Sequence, residues 1–252
     1  MGYADDLFDL TDRVVLVTGG SRGLGREMAL AAAHCGADVV IASRDLARCR
    51  DTAREIEAAT GRAAMPYSVH VGRWDTLPAL VDAVYERFGR MDALINNAGI
   101  SPLYDSLDAV TEKLFDVVQD LNLKGPFRLS VLAGERMAAA GGGAIVNVSS
   151  TGSLRPGPAI LPYAAAKAGL NALTEGLALA LGPTVRVNTL MAGPFDTSAH
   201  DWDPDKVAEG VRRHALRRTG APAEVVGAAL YLVSGASSYT SGATLRVDGG
   251  IP

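Results

Sequence analysis

The sequence predicts an α/β fold in which a doubly wound parallel sheet of about seven strands carries helices on both faces. Short apolar runs, many of them β-branched, alternate with longer helix-like segments to the end of the chain, as strand–helix–strand units require. The chain has 252 residues, of which 48% are hydrophobic, so it can bury a substantial core. We therefore expect residues 1–252 to form a single domain.

The strand-like runs share a high content of valine, isoleucine, leucine and alanine, as fully buried parallel strands do. They lie near residues 13–18, 38–43, 63–69, 92–96, 143–148, 184–190 and 243–247. No internal repeat and no second composition regime interrupts them.

The first strand runs directly into a glycine-rich turn. The turn reads Gly19-Gly20-Ser21-Arg22-Gly23-Leu24-Gly25, and a helix-like segment follows over residues 26–35. A glycine-rich turn between strand and helix aims backbone N–H groups and a helix N-terminus at a phosphate. Its glycine spacing differs from the commoner G-x-G-x-x-G pattern, and a turn without a ligand is the alternative.

The second strand ends on Ser43, and Arg44 follows. In dinucleotide folds an acidic residue here holds the ribose 2′-hydroxyl, whereas a nearby arginine accepts a 2′-phosphate. With Ser43 in place of the acid, Arg44 and Arg22 offer two guanidinium groups for charge-assisted bonds to phosphate. The sequence therefore favours NADP(H), with NAD(H) as the second option. The alternative is that both arginines are ordinary surface charges.

A tyrosine and a lysine open the longest helix-like segment, residues 161–181. Tyr163 and Lys167 lie on one helix face, about 5–6 Å apart at Cβ. A neighbouring ammonium favours the phenolate and brings the pKa of the phenol towards neutrality. Ser149 and Ser150 follow the strand-like run 144–148, and hence stand at the carboxyl end of the sheet, where open α/β sheets bind ligands.

Together these pieces resemble the classical short-chain dehydrogenase/reductase family, which has a Rossmann-type sheet, over nearly the whole chain. The matching motifs are Thr18-Gly19-x-x-x-Gly23-x-Gly25, Asn96-Asn97-Ala98-Gly99, Asn122, Ser150, Tyr163-x-x-x-Lys167 and Val247-Asp248-Gly249-Gly250. Several motifs in the right order are far more specific than one. The resemblance implies an oxidoreductase that interconverts a carbonyl and an alcohol by hydride transfer.

The resemblance implies a catalytic set of Asn122, Ser150, Tyr163 and Lys167. Tyr163 would be the general acid/base, and Ser150 would donate to the substrate oxygen as it gains negative charge. Lys167 would also hold the nicotinamide ribose, and Asn122 would interrupt a helix and hold a water that links Lys167 to solvent. Alone, Ser150 could be a strand-end cap and Asn122 a helix-kink residue.

The resemblance also implies a set of cofactor contacts at the carboxyl ends of the strands. They are Gly19, Ser21, Arg22, Gly23, Leu24, Gly25, Ser43, Arg44, His70, Val71, Asn97, Ala98, Gly99, Tyr163, Lys167, Gly193, Phe195 and Thr197.

The sequence departs from the family pattern at two places in and around these contacts. His70-Val71 stands where the family places an Asp and a small apolar residue for the adenine amino group. An imidazole can accept from that group or stack on the ring; a loop histidine without this role is the alternative. Ala192-Gly193-Pro194 replaces the usual Pro-Gly of the nicotinamide loop, so Thr197 becomes the expected carboxamide contact.

The expected partner is a small carbonyl or alcohol substrate. A substrate loop is expected near residues 195–218, including His200, Trp202 and three aspartates (Asp201, Asp203 and Asp205), with residues 101–104 and 154–161 facing it. The family acts on sugars, steroids, acyl thioesters, polyketides and simple ketones, among which fold and catalytic residues do not choose. Two alternatives, a dehydratase or epimerase and a non-catalytic nucleotide-binding regulator, predict altered catalytic residues.

Charge and composition exclude other classes. A net charge of −4 gives no electrostatic case for nucleic acid or an anionic membrane, and no apolar run reaches membrane-spanning length. Residues 1–10 lack a secretory signal, and the two cysteines suggest a reducing compartment, so a cytoplasmic location is expected. The four histidines show no metal-ligand spacing, so no metal is expected.

The helix-like segment 161–181 is apolar around most of its circumference, so more than one of its sides must be buried. Together with the family resemblance, this pattern predicts a homotetramer, or else a homodimer. A monomer whose own helices cover this face is the alternative.

Overall fold

The structure is a computed structural model that describes residues 2–197 and 209–252. One parallel sheet runs through it in the strand order β3-β2-β1-β4-β5-β6-β7. The strands are β1 (Val14–Thr18), β2 (Asp38–Ser43), β3 (Ala64–Ser68), β4 (Ala93–Asn96), β5 (Gly143–Ser150), β6 (Val185–Ala192) and β7 (Thr244–Val247). Each overlaps a predicted run, and the predicted doubly wound α/β fold is confirmed.

Helices cover both faces of the sheet. They are α1 (Tyr3–Phe8), α2 (Gly23–His34), α3 (Leu46–Thr60), α4 (Leu77–Phe88), α5 (Glu112–Gln119), α6 (Gly125–Ala139), α7 (Leu161–Leu181) and α8 (Val226–Val233). Val15 and Val17 of β1 pack into a core with α2, α3 and α8, whereas Val14 and Leu16 pack into a second core with α4, α6 and α7. Alternate side chains of one strand therefore feed two separate cores.

The strand order reverses between β1 and β4. At such a switch point the crossover connections leave on opposite faces, and a crevice opens at the carboxyl ends of the strands. Thr18 ends β1, Asn96 ends β4 and Ser150 ends β5, so three of the sequence motifs meet at this edge.

Two strands are longer than the sequence indicated. β5 and β6 stay paired as far as Ser149↔Met191 and Ser150↔Ala192, so Ser150 belongs to the sheet instead of following it. Pairing with a neighbouring strand extends both beyond their apolar runs.

The expected substrate loop falls partly outside the described residues, and with it His200, Trp202 and the three aspartates. The part of the loop that follows residue 208 is held by the residues after β7. The N–H of Leu216 donates to Gly249 O at 2.9 Å, and the N–H of Ala215 donates to Gly250 O at 3.0 Å. Within residues 2–197 and 209–252, none of the helices combines the length and apolar character needed to cross a bilayer.

Candidate active site

The glycine-rich turn leaves the N-terminus of α2 open. Gly19 has a φ of +64°, and a Cβ there would lie 2.9 Å from Asn97 Nδ2, so glycine suits this position both conformationally and sterically. α2 begins at Gly23, and among the described residues its N-cap residue, Arg22, makes no capping hydrogen bond through its side chain. Its first N–H groups are therefore available to an anion.

Hydrogen bonds tie the Asn97–Gly99 segment to this turn. Thr18 Oγ1 accepts from the N–H of Asn97 at 3.0 Å and from that of Ala98 at 3.1 Å. The Asn97 amide donates back to Thr18 O at 3.0 Å. Two motifs almost eighty residues apart thus form one wall of the crevice.

A serine pair joins the segments that carry Arg22 and Arg44. Ser21 Oγ donates to Ser43 Oγ at 2.9 Å, and Cys49 Sγ lies 3.0 Å from the Ser43 hydroxyl. Both arginines are exposed, and within the described ranges neither pairs with a carboxylate. The end of β2 therefore offers two guanidinium groups and a hydroxyl.

His70 is already engaged through one ring nitrogen. Its Nδ1 accepts from the N–H of Gly72 at 3.2 Å. Burial lowers the pKa of His70, and the nearby Arg44 and Arg73 lower it further, which keeps the ring neutral. With Nδ1 engaged, the proton of the neutral ring sits on Nε2, which leaves stacking on the adenine ring as the predicted role that this arrangement permits. Val71 is buried, and its main chain packs against Gly125.

Ser150, Tyr163 and Lys167 form one cluster at the carboxyl edge of the sheet, where β5 ends and α7 begins. The Ser150 hydroxyl lies close enough to the Tyr163 phenol to lower its pKa. Lys167 Nζ lies 5.8 Å from the centre of the Tyr163 ring and donates to Val148 O at 2.7 Å. The Ser149 hydroxyl holds the main chain of α7 by donating to Lys167 O at 3.3 Å.

Burial governs the protonation of this cluster. It lowers the pKa of Lys167 to about 8. It also raises the pKa of Tyr163, and the neighbouring Ser150 hydroxyl offsets only part of that rise. The sequence predicted the opposite shift for Tyr163. The observed shift differs from the predicted one because burial removes the phenolate from water, and this cost outweighs the effect of the Lys167 ammonium. That ammonium faces the Tyr163 ring and donates to a backbone carbonyl.

Asn122 lies in a π-helical turn, Asp120–Lys124, that interrupts the helix between α5 and α6. The Asn122 amide donates to Ile100 O and Val118 O, each at 2.9 Å, and Oδ1 accepts from the N–H of Ile100 at 3.2 Å. A Cβ on Gly99 would lie 2.7 Å from Asn122 Oδ1 and 3.7 Å from Lys167 Nζ. The side chain therefore holds the segment after β4 close to the lysine.

The loop after β6 turns back onto the sheet. A Cβ on Gly193 would lie 2.6 Å from Asp248 Cα, and the Phe195 ring packs against Gly220. Thr197 Cβ lies 3.6 Å from the position that a Cβ on Gly23 would take, so Thr197 reaches the glycine-rich turn.

Two contacts beside Tyr163 were not foreseen. Tyr104, expected only near the substrate loop, donates through its hydroxyl to Pro158 O at 2.6 Å and accepts from the N–H of Leu161 at 2.9 Å. Gln119 donates to Pro162 O at 2.9 Å. Both fasten the start of α7, and no sequence pattern pairs them with it.

Replacing Lys167 with methionine is expected to raise the free energy of unfolding at pH 7 by about 1–3 kcal/mol, because it removes a buried ammonium that has no carboxylate partner within residues 2–197 and 209–252. In the folded chain the pKa of Lys167 falls from 10.5 to about 8. The buried charge of Lys167 therefore lowers the free energy of unfolding by its full amount below pH 8. This destabilisation decreases as the pH rises towards 10.5. Denaturant unfolding across this range should show the gain shrinking as the pH rises.

Lys113→Met is the matched control, since Lys113 is exposed and its loss should leave stability nearly unchanged at every pH. A Lys167→Met protein that is less stable than the parent at pH 7, or whose gain ignores pH, would contradict this account.

Comparison with known proteins gives consistent results. A family model described as Enoyl-(Acyl carrier protein) reductase matches residues 19–252. The chain is 37% identical over 250 residues to an uncharacterized oxidoreductase of Mycobacterium tuberculosis (strain CDC 1551 / Oshkosh), which covers 98% of this chain and 94% of that protein.

Two solved structures are similar throughout. A gluconate 5-dehydrogenase from Burkholderia cenocepacia J2315, in complex with NADP and tartrate, has a TM-score of 0.92 at 33% identity and 98% coverage of both chains. The NADPH-dependent 3-quinuclidinone reductase from Rhodotorula rubra has a TM-score of 0.93 at 28% identity, covering 99% of this chain and 95% of that one. With the motifs in place at the sheet edge, these matches show that the chain belongs to the short-chain dehydrogenase/reductase family of oxidoreductases.

Proposed function

We propose that the chain is an NADP(H)-dependent oxidoreductase that interconverts a carbonyl and an alcohol, with Tyr163 as the general acid/base. The observation that carries the proposal is the Ser150–Tyr163–Lys167 cluster at the carboxyl edge of the sheet. The alternatives, a dehydratase or epimerase and a non-catalytic regulator, predict altered catalytic residues, whereas this chain keeps all three. The proposal also assigns residues 195–218 to the substrate loop.

The raised pKa of Tyr163 suits a proton donor. At neutral pH the phenol keeps its proton and can give it to a carbonyl oxygen that has become an alkoxide. Ser150 Oγ accepts from the N–H of Gly152 at 3.1 Å, so its own proton remains for the substrate oxygen. Lys167 would return a proton to Tyr163, and Asn122 would hold a water that links Lys167 to solvent. NADP(H), when bound, supplies or takes the hydride.

The residues at the nucleotide end fit NADP(H). The N-terminus of α2 suits the pyrophosphate, and the small residues Asn97, Ala98 and Gly99 would let the backbone approach the adenosine ribose. Arg22 and Arg44 suit a 2′-phosphate, which no carboxylate repels at Ser43. The NADP complex of the similar gluconate 5-dehydrogenase supports this choice. Lys167 would hold the nicotinamide ribose, and Thr197 the carboxamide.

The first experiment measures the binding of NADPH and NADH to the purified chain by quenching of tryptophan fluorescence. The second follows NADPH oxidation with 3-quinuclidinone, a 3-oxoacyl thioester and a keto-sugar acid, and NADP⁺ reduction with gluconate. We expect NADPH to bind and at least one probe to turn over. A chain that binds neither cofactor is not an oxidoreductase of this kind.

We further propose a homotetramer, with a homodimer as the second option; the family resemblance supports the number of copies, and the exposed face of α7 supports one of the contacts between them. Small and apolar residues form a stripe along it, comprising Ala165, Ala168, Ala172, Gly176 and Leu179, of which Leu179 is 86% exposed. Such a stripe lets the same helix of a second copy approach closely, in the self-complementary contact of closed symmetry.

Light scattering behind a sizing column should give a mass of four chains for the parent. Ala172→Glu should lower the mass, because it places a charge in the centre of the stripe. Ala58→Glu, at an exposed alanine of α3, is the control and should leave the mass unchanged. A parent that elutes with the mass of one chain at micromolar concentration refutes the assembly.

A further inference from the structure

The turn Thr151–Ser153 after β5 is fastened to α7 by two consecutive hydrogen bonds. The Ser153 hydroxyl donates to the main-chain carbonyl of Ser150 at 2.6 Å. The Asn171 amide donates to the same hydroxyl oxygen at 3.0 Å. Because both the proton and a lone pair of Ser153 are used, its hydroxyl is held in one orientation.

Asn171 lies on the same face of α7 as Tyr163 and Lys167. The three residues follow one another at intervals of four, which stacks them along one side of a helix. One helix face thus carries the phenol, the ammonium and the amide that reaches the serine turn. A rigid helix can therefore set the distance between Ser150 and Tyr163.

The turn controls the Ser150 hydroxyl directly. Gly152, inside the turn, donates its N–H to Ser150 Oγ at 3.1 Å. A Cβ on Gly152 would lie 3.0 Å from Ile160 Cδ1, 3.4 Å from Ser150 Oγ and 3.9 Å from Tyr163 Cε1, so the turn is closely packed against both hydroxyl-bearing residues. If the turn loosened at Ser153, the N–H of Gly152 would no longer hold the Ser150 hydroxyl in its orientation.

We propose that Ser153 and Asn171 are positioning residues that aim the Ser150 hydroxyl at the Tyr163 hydroxyl and the substrate oxygen. The inference rests on the proposed function, since it gives Ser150 and Tyr163 their roles. Small misplacements of a catalytic group can cost about 10²-fold in rate, so such a clamp has a measurable effect.

The Lys167 ammonium faces Tyr163 from α7, and the Ser150 hydroxyl faces it from β5. The neighbouring Ser150 hydroxyl lowers the pKa of Tyr163. If the clamp opens, that effect weakens and the pKa rises. A role limited to stability would leave this pKa where it is.

The test compares Ser153→Ala, Ser153→Thr and Asn171→Leu in the full-length chain. With the probe that turns over fastest in the screen, Ser153→Ala and Asn171→Leu should lose about 10–100-fold in kcat, with little change in the KM for NADPH. Ser153→Thr keeps the hydroxyl and should retain most activity. Asn171→Leu tests the clamp from the helix side without altering the turn.

A double-mutant cycle separates positioning from general damage. In a Ser150→Ala background, Ser153→Ala should cost almost nothing further, because the group that it aims is gone. Thr184→Ala is the control, since the Thr184 hydroxyl also donates to a carbonyl three residues earlier, at the far end of α7. Full additivity of Ser150→Ala and Ser153→Ala would overturn the proposal.

A substrate-independent readout is the ultraviolet difference titration of the Tyr163 phenolate, obtained by subtracting the matching Tyr163→Phe protein. Tyr163 should titrate at higher pH in Ser153→Ala than in the parent and return to the parent value in Ser153→Thr. An unchanged titration refutes the positioning role even if no probe substrate is turned over. An active Tyr163→Phe enzyme would instead refute the proposed function.

Discussion

Tyr163→Phe is expected to cut turnover by about 10²–10⁴ while leaving NADPH affinity nearly unchanged. The substitution removes the one transferable proton of the side chain and keeps the ring, which packs beside Lys167 and Gly152. Steady-state kinetics and a fluorescence titration with NADPH on the same preparation measure the two effects separately.

Tyr239→Phe is the matched control for this prediction, because the Tyr239 side chain is fully exposed and its hydroxyl has no part in the cluster. It should behave as the parent in both assays. Turnover near the parental level in Tyr163→Phe would remove Tyr163 from the mechanism.

Arg44→Ala is expected to weaken NADPH binding by about 1.5–3 kcal/mol, roughly 10–150-fold, and to leave NADH binding unchanged. The selectivity arises because only NADPH carries the 2′-phosphate that the guanidinium would hold. Ser43→Asp should move the preference towards NADH, since a carboxylate repels the phosphate and accepts from the ribose hydroxyl. Equilibrium titrations with both cofactors give these ratios.

Arg50→Ala is the control for Arg44→Ala, because Arg50 is an exposed arginine of α3 that carries the same charge. If only the net charge of the protein mattered, both variants would weaken NADPH binding equally. If Arg44 contacts the 2′-phosphate directly, only Arg44→Ala weakens it. Equal affinities of the parent for NADPH and NADH would contradict the predicted preference.

The sequence alone predicted the fold class, the seven strand-like runs and the helices that follow β1 and begin at Leu161. Helix α7 runs over Leu161–Leu181, as its alanine- and leucine-rich composition predicted, and each strand overlaps its apolar run. These features depend on neighbours within a few residues, which is the range over which periodicity, propensity and turn chemistry act. The glycine turn was predicted from its local sequence, whereas the interrupted helix at Asn122 was implied by the family resemblance.

Only the tertiary structure decided the protonation and the aim of the side chains. The rise in the pKa of Tyr163 and the fall in that of Lys167 come from burial, which depends on how β5, α7 and the segment after β4 pack. The engaged Nδ1 of His70 and the Asn171–Ser153–Ser150 clamp are set by single hydrogen bonds. A sequence pattern encodes which residues face a crevice, but desolvation and hydrogen-bond geometry arise only when distant segments are brought together.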